Sequence, residues 1–190
     1  LATGEDGRGE ILMANGVQVV LEPGSVVTFS YDPETSTSRL EIFEGTMHVN
    51  GENRTGAGSA VRAGSAEVNF DQASFSLTRQ PDETVMVNLV SGSAQVEIDP
   101  LAGVVSLAVG QILLLEKGDA EDRLVVSAPP DNVGNLDLQL AGQVSVSLPP
   151  GTRTQFENLV QAGEGGSYTI WNLEQKGEPV MVQASPEVRE

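Results

Sequence analysis

Histidine occurs once in this chain, at His48, and cysteine is absent; together these limit the chemistry the sequence can perform. As a general base, His48 would need a hydroxyl or carboxylate within hydrogen-bond reach and a third group to orient its ring. No motif in the sequence supplies either. One imidazole without thiolates cannot build the usual zinc shell, and the lack of cysteine also removes disulfides and thiol nucleophiles. Along Thr46-Met47-His48-Val49, strand alternation turns His48 away from the face of Met47 and Val49, which predicts an exposed strand histidine.

Hard oxygen ligands are plentiful. Asp119-Ala120-Glu121-Asp122 and Asp32-Pro33-Glu34 are the densest acidic turns, yet neither has the alternating ligands and Gly of an EF-hand loop. Both are expected to be solvated turns, with Asp119, Glu121 and Asp122 the first residues to test for calcium. Carboxylate pairs for glycoside hydrolysis can be drawn from the same stock, but no spacing selects one, and Trp171, Tyr31 and Tyr168 are few aromatics for a sugar site. Gly163-Glu164-Gly165-Gly166 lacks the Lys-Ser/Thr of a phosphate loop and precedes a strand, so it reads as a hairpin connection. Asn53-Arg54-Thr55 fits a glycosylation sequon that matters only in a eukaryotic secretory host. Trp171 shares a strand face with Thr169 and Leu173 and is expected to anchor the core. No residue is therefore assigned a catalytic, cofactor-binding or metal-ligating role, no cofactor is expected, and the chain is read as not being an enzyme.

Charge narrows the partners. Twenty-seven acidic residues against ten basic ones give a net charge of −17, and the scattered Lys and Arg form no face for nucleic-acid phosphates. The same acidity opposes attachment to anionic lipid. No stretch approaches the ~20 apolar residues a bilayer requires, so no membrane span is expected. The chain begins with Leu1 and shows no charged-then-apolar leader; it is expected to be a mature protein or an excised domain, a form compatible with a signal or anchor cut away.

The elements that would position any site are strands. Apolar residues alternate or cluster in runs of four to eight, bounded by Gly, Pro, Asp, Asn and Ser, from Val17–Leu21 through Pro179–Gln183, with no convincing helix. The core is expected from Val, Leu, Ile and Ala, with Phe29, Phe43, Phe70, Phe75, Phe156 and Trp171 as its larger members. Two patterns recur. Leu21-Glu22-Pro23-Gly24-Ser25, Leu107-Ala108-Val109-Gly110-Gln111 and Leu148-Pro149-Pro150-Gly151-Thr152 each end a strand in Leu, two spacers and Gly. Ile42, Gly45 and Val49 repeat the spacing of Leu89, Gly92 and Val96. Glycine serves where the backbone needs positive φ or where another strand comes close. The sequence thus predicts an all-β fold of short antiparallel hairpins wound into a β-roll, solenoid-like or sandwich architecture with internal strand-Gly repeats, these five glycines lying at strand ends or turns. The expected organisation is a flexible N terminus over 1–10, a β domain over 11–127, a Pro-rich connection over 128–135, an additional β repeat over 136–184 and a flexible C terminus over 185–190.

The order of these motifs is similar to the extracytoplasmic FecR domain. That family runs as an L-x-x-G-S strand, an R-x-x-L-x-x-G strand, a V-x-T-x-x-A-x-x-x-x-G-T-x-F segment, a V-x-V-x-x-G-x-V hairpin and a closing L-x-x-G-Q. Here these correspond to Leu21–Ser25, Arg39–Gly45, Val61–Phe75, Val85–Val96 and Leu107–Gln111, with Gln72-Ala73-Ser74-Phe75 where the family has G-T-x-F. The resemblance spans roughly residues 11–118. It implies a non-enzymatic domain of the bacterial cell envelope, periplasmic or extracellular, acting in signalling or regulation by binding another envelope protein. The alternative is a structural or adhesive envelope module that binds a glycan or peptidoglycan. Oligomeric state stays open.

Overall fold

The computed structural model describes residues 1–13, 15–32, 37–51, 59–101, 103–119, 123–140, 144–157, 167–172 and 180–183. They form strands β1 (Gly9–Leu12), β2 (Gln18–Leu21), β3 (Val26–Asp32), β4 (Thr37–Asn50), β5 (Ser59–Ala63), β6 (Ala66–Arg79), β7 (Val85–Ile98), β8 (Gly103–Leu107), β9 (Ile112–Lys117), β10 (Leu124–Ala128), β11 (Leu136–Leu140), β12 (Val144–Leu148), β13 (Thr152–Glu157), β14 (Ser167–Asn172) and β15 (Val180–Gln183). A single 3-10 turn, Asp99–Leu101, is the one helical element among the described residues.

All fifteen strands hydrogen-bond into one continuous mixed sheet that does not close into a barrel. The pairings resolve it into two layers that share the longest strands. The first layer runs β1, β2, the C-terminal halves of β4 and β6, the N-terminal half of β7, then β9, β10, β13, β14 and β15. The second runs β3, the N-terminal halves of β4 and β6 with β5 between them, the C-terminal half of β7, then β8, β11 and β12. Every pair is antiparallel except β4 with β5. There the chain passes into the first layer at Gly45 and runs to Asn50 before β5 begins, which is the crossover a parallel pair requires.

One core lies between the layers. Leu21, Met47, Leu77, Leu113, Val126 and Phe156 from the first meet Ile42, Val61, Val96, Val105, Leu138 and Leu148 from the second, and none exceeds 1% exposure. The cluster continues from Met13 to Ile170, across the 128–135 connection.

The second sequence pattern proves to be a bent strand. In β4 the buried set steps from Leu40 and Ile42 to Met47 and Val49, and in β7 from Val87 and Leu89 to Ala94 and Val96. Each step is odd, so the inward face shifts by one residue, the signature of a bulge that adds a residue to one strand. The register breaks between Val26 and Val27 opposite Phe43, and again at Asp71–Phe75 opposite Val90. Gly45 has φ +97° and an added Cβ would fall 2.5 Å from Ser25 Oγ; Gly92 has φ +79° and its Cβ would fall 2.3 Å from the Gln72 carbonyl. Only glycine fits either place.

The first pattern is an arch. At Gly24, Gly110 and Gly151 the chain turns from one layer to the other, and the flanking strands β2 and β3, β8 and β9, or β12 and β13 pair with other strands rather than with each other. Winding of the chain is as expected, but these three turns are corners rather than hairpin tips, and Gly45 and Gly92 lie inside long strands rather than at their ends. Where the sequence predicts runs of four to eight residues, β6 and β7 are single bent strands of 14 residues each. Strands β1, β5 and β13 appear where alternation had not marked them.

Other expectations change as well. Phe29 and Phe43 are 51% and 44% exposed, not core residues. Phe43 is the extra residue of the β4 bulge, and Phe29 sits on β3, where the second layer ends. At the start of the chain the Leu1 amino group donates to the Val27 carbonyl, the Val27 N–H to the Leu1 carbonyl, and the Thr3 N–H to the Ser25 carbonyl. The C-terminal 185–190 segment lies outside the described residues.

Candidate functional site

Alternation places His48 on the solvent face of β4, half-exposed, between buried Met47 and Val49 as predicted. Tertiary structure adds a partner that the sequence did not mark. Glu22, from the first arch, brings Oε1 to 3.3 Å from His48 Nε2, and its Oε2 lies 3.0 Å from Arg8 Nη2. This shared carboxylate makes a surface ion cluster, with no hydroxyl poised for attack in the described contacts.

The other sequence candidates separate. Asp119 is 79% exposed and paired with Arg123 Nη1 at 2.9 Å, whose hydrogen bond and charge hold its carboxyl below the usual range. Glu121 and Asp122 lie outside the described residues, as do Pro33, Glu34, the Asn53-Arg54-Thr55 sequon, the Gly163–Gly166 run and the side chains of Asp32, Tyr31, Tyr168 and Trp171. The Trp171 backbone pairs with Gln155. Among the described residues no three His, Cys, Asp or Glu side chains stand together as a metal site.

A shallow cavity of about 200 Å³ opens on the outer face of the second layer, over β3 to β6. Registers align Glu41 with Arg62, Arg62 with Glu67 and Glu67 with Glu97 across it. Arg62 also holds Asp99, and Asn69 donates to Glu97 at 2.9 Å. Opposite charges on neighbouring strands, Glu41 with Arg62 and Arg62 with Glu67, stabilise the sheet surface, and the like pair Glu67 with Glu97 opposes them. They leave no paired nucleophile and base.

The more informative geometry is at the sheet edges. Strand β12 pairs only with β11, so among the described residues one side of Val144-Ser145-Val146-Ser147-Leu148 has no strand partner. Its valines pack half-buried against the core while its serines face solvent, Ser147 donating to Asp137. Natural edges are guarded by charge, Pro or bulges. Strand β12 has none of these before Pro149, so the side of it that has no strand partner among the described residues suits an added strand.

The connection after β10 is hydrogen-bonded to the strands and arch beside it. Asn132, 7% exposed, accepts the Ile112 N–H at 2.6 Å and donates to the Ile112 carbonyl at 3.1 Å, standing in for a strand residue. Gln111, from the second arch, accepts the Ala108 N–H and donates to the Asn135 carbonyl at 2.7 Å. These two amides stitch the loop to the arch; in the sequence Gln111 closes the Leu-x-x-Gly-Gln motif and Asn132 stands in the Pro-rich connection, with no local signal that pairs them with these backbone groups.

The chain belongs to the FecR protein family, whose model matches residues 1–95. Two crystal structures of a candidate anti-sigma factor from Parabacteroides distasonis ATCC 8503, at 1.65 and 2.50 Å, have similar folds. Each superposes with a TM-score of 0.56, at 16% and 15% identity, over 88% of this chain and 65% and 64% of theirs. This chain thus spans just under two thirds of those proteins. Comparison with curated proteins yielded no match. Among the described residues no helix is long and apolar enough to cross a membrane.

Proposed function

We propose that this is a non-enzymatic regulatory domain of the bacterial cell envelope, periplasmic or extracellular, which signals by binding another envelope protein through strand addition at β12. Membership of the FecR family supports the regulatory role, and the anti-sigma description of the structural neighbours is consistent with it. The observation that carries the reading is the edge of β12, uncharged and, among the described residues, without a strand partner on the side away from β11, to which it is laddered from Leu136 with Leu148 to Leu140 with Val144.

The test places a charge on that edge. Val146→Lys, with Ser145→Lys as a milder second variant, guards the edge as natural sheets do. In the native host, transcription from genes adjacent to this one is measured with each variant. The reading expects the stimulus-dependent response to be lost while circular dichroism and abundance of the variant stay unchanged. An unaltered response with both folded variants rejects it, and retention of the native protein on isolated peptidoglycan would favour the structural role instead.

A further inference from the structure

Beyond the arch at Gly24 and the bend at Gly45, five further crossings between the layers follow one another along a rim of the molecule: the β6 bulge at Asp71–Ser74, the β7 kink at Val90–Gly92, the arch at Ala108–Gln111, the loop Pro129–Asn135 and the arch at Pro149–Gly151. Neighbours along it are in contact. The Gly92 position abuts the Gln72 carbonyl, the Gly110 N–H donates to Leu89 and Leu89 to Gln111, a Cβ at Gly110 would sit 3.1 Å from Val133, and the Gly151 N–H donates to Ala128.

Three large apolar side chains stand out from adjacent crossings: Val90 at 60%, Val109 at 53% and Val133 at 64% exposure. They are three of the eight exposed large hydrophobics among the described residues, gathered on one rim whose backbone is already hydrogen-bonded. Strand addition is therefore not what this rim offers; side-chain burial is. The only formal charges in the five segments are Asp71 and Asp131, with no Lys or Arg. Two inter-strand steps of ~4.8 Å place Val133 about 10 Å from Val90. Positions i, i+4 and i+7 of a helix span the same length at ~1.5 Å per residue.

We infer that this rim docks a basic amphipathic helix of a partner protein, its apolar stripe covering Val90, Val109 and Val133 and its Lys or Arg residues facing Asp71 and Asp131. Apolar contact supplies affinity and opposite charge supplies orientation and encounter rate. The inference deepens the protein-binding reading above and rests on it, but uses a surface separate from β12.

The test is direct binding, so its failure is distinguishable from failure of the transcriptional test. Three synthetic helical peptides are titrated calorimetrically into the whole chain at 0.15 M salt: one with Leu at i, i+4 and i+7 and Lys elsewhere, one with Glu replacing Lys, and one with Ser replacing Leu. The Leu/Lys peptide is expected to bind best. The combined Val90→Ser, Val109→Ser and Val133→Ser variant should bind it roughly tenfold or more weakly, and Asp71→Asn with Asp131→Asn should weaken it and flatten its salt dependence. Leu12→Ser, at an exposed apolar site on β1, is the control and should bind unchanged. Equal binding by the triple-serine variant, equal binding of the Ser/Lys peptide, or valine-dependent dimerisation in sedimentation that blocks the peptide would each overturn the proposal.

Discussion

Ser25 satisfies the free side of Thr46: its Oγ accepts the Thr46 N–H at 3.1 Å and donates to the Thr46 carbonyl at 3.0 Å. The first arch is thereby locked to the bent strand β4 at the point where Gly45 lets the two backbones approach. Ser25→Ala strands the Thr46 N–H, while the carbonyl keeps the Glu22 N–H at 2.9 Å. The expected loss is ~1–3 kcal/mol in urea unfolding. Gly45→Ala combines a left-handed φ with a Cβ overlapping Ser25, and should cost more, above ~2 kcal/mol. A Gly45→Ala variant as stable as Ser25→Ala would contradict the close approach.

Asn132 should matter out of proportion to its place in a Pro-rich loop. Asn132→Ala orphans both Ile112 backbone groups, with an expected cost of ~2 kcal/mol or more. Limited proteolysis should leave 128–135 uncut in the native protein and cleave there in the variant. Cleavage of the native chain at this segment would show that the stitching does not hold in solution.

Acid sensitivity follows from three surface carboxylates. The Thr84 N–H lowers the Asp82 carboxyl; the Lys117 hydrogen bond and charge lower Glu83 below 4.5; Arg123 lowers Asp119 below 3.8. A depressed folded-state pKa contributes stability that is present above the unfolded value and lost as pH falls through the folded one. Glu83→Gln and Asp119→Asn should therefore lower the melting temperature slightly at pH 7, and the difference should shrink as pH falls through the lowered folded-state values. Because these groups are solvent-exposed, 1 M salt should also erase it. A difference that grows on acidification would reverse the sign of the argument.

Self-repulsion at a net charge of −17 predicts that salt stabilises the fold. Calcium and sodium chlorides at matched ionic strength should raise the melting temperature equally. A calcium-specific rise of many degrees would require preferential binding to the native state, and Glu121→Gln with Asp122→Asn would then locate it.

Much of this molecule was legible in its residues. Alternation is a local, period-two property, and it correctly turned His48 away from buried Met47 and Val49 in β4. The motif order from Leu21 to Gln111 carried the family resemblance. What the sequence could not decide is where each strand's partner lies. A Leu-x-x-Gly turn is chemically the same whether the chain folds back as a hairpin or arches to another layer, and only long-range pairing of β2 and β3 with separate halves of β4 separates the two. For the same reason Phe43 read as a core residue until the bulge turned it outward, and Asn132 read as a loop polar until Ile112 came within its reach. Local spacing determines which face a side chain takes; the tertiary ladder determines which backbone groups are left for it to meet, and so which rim and which edge stand open to a partner.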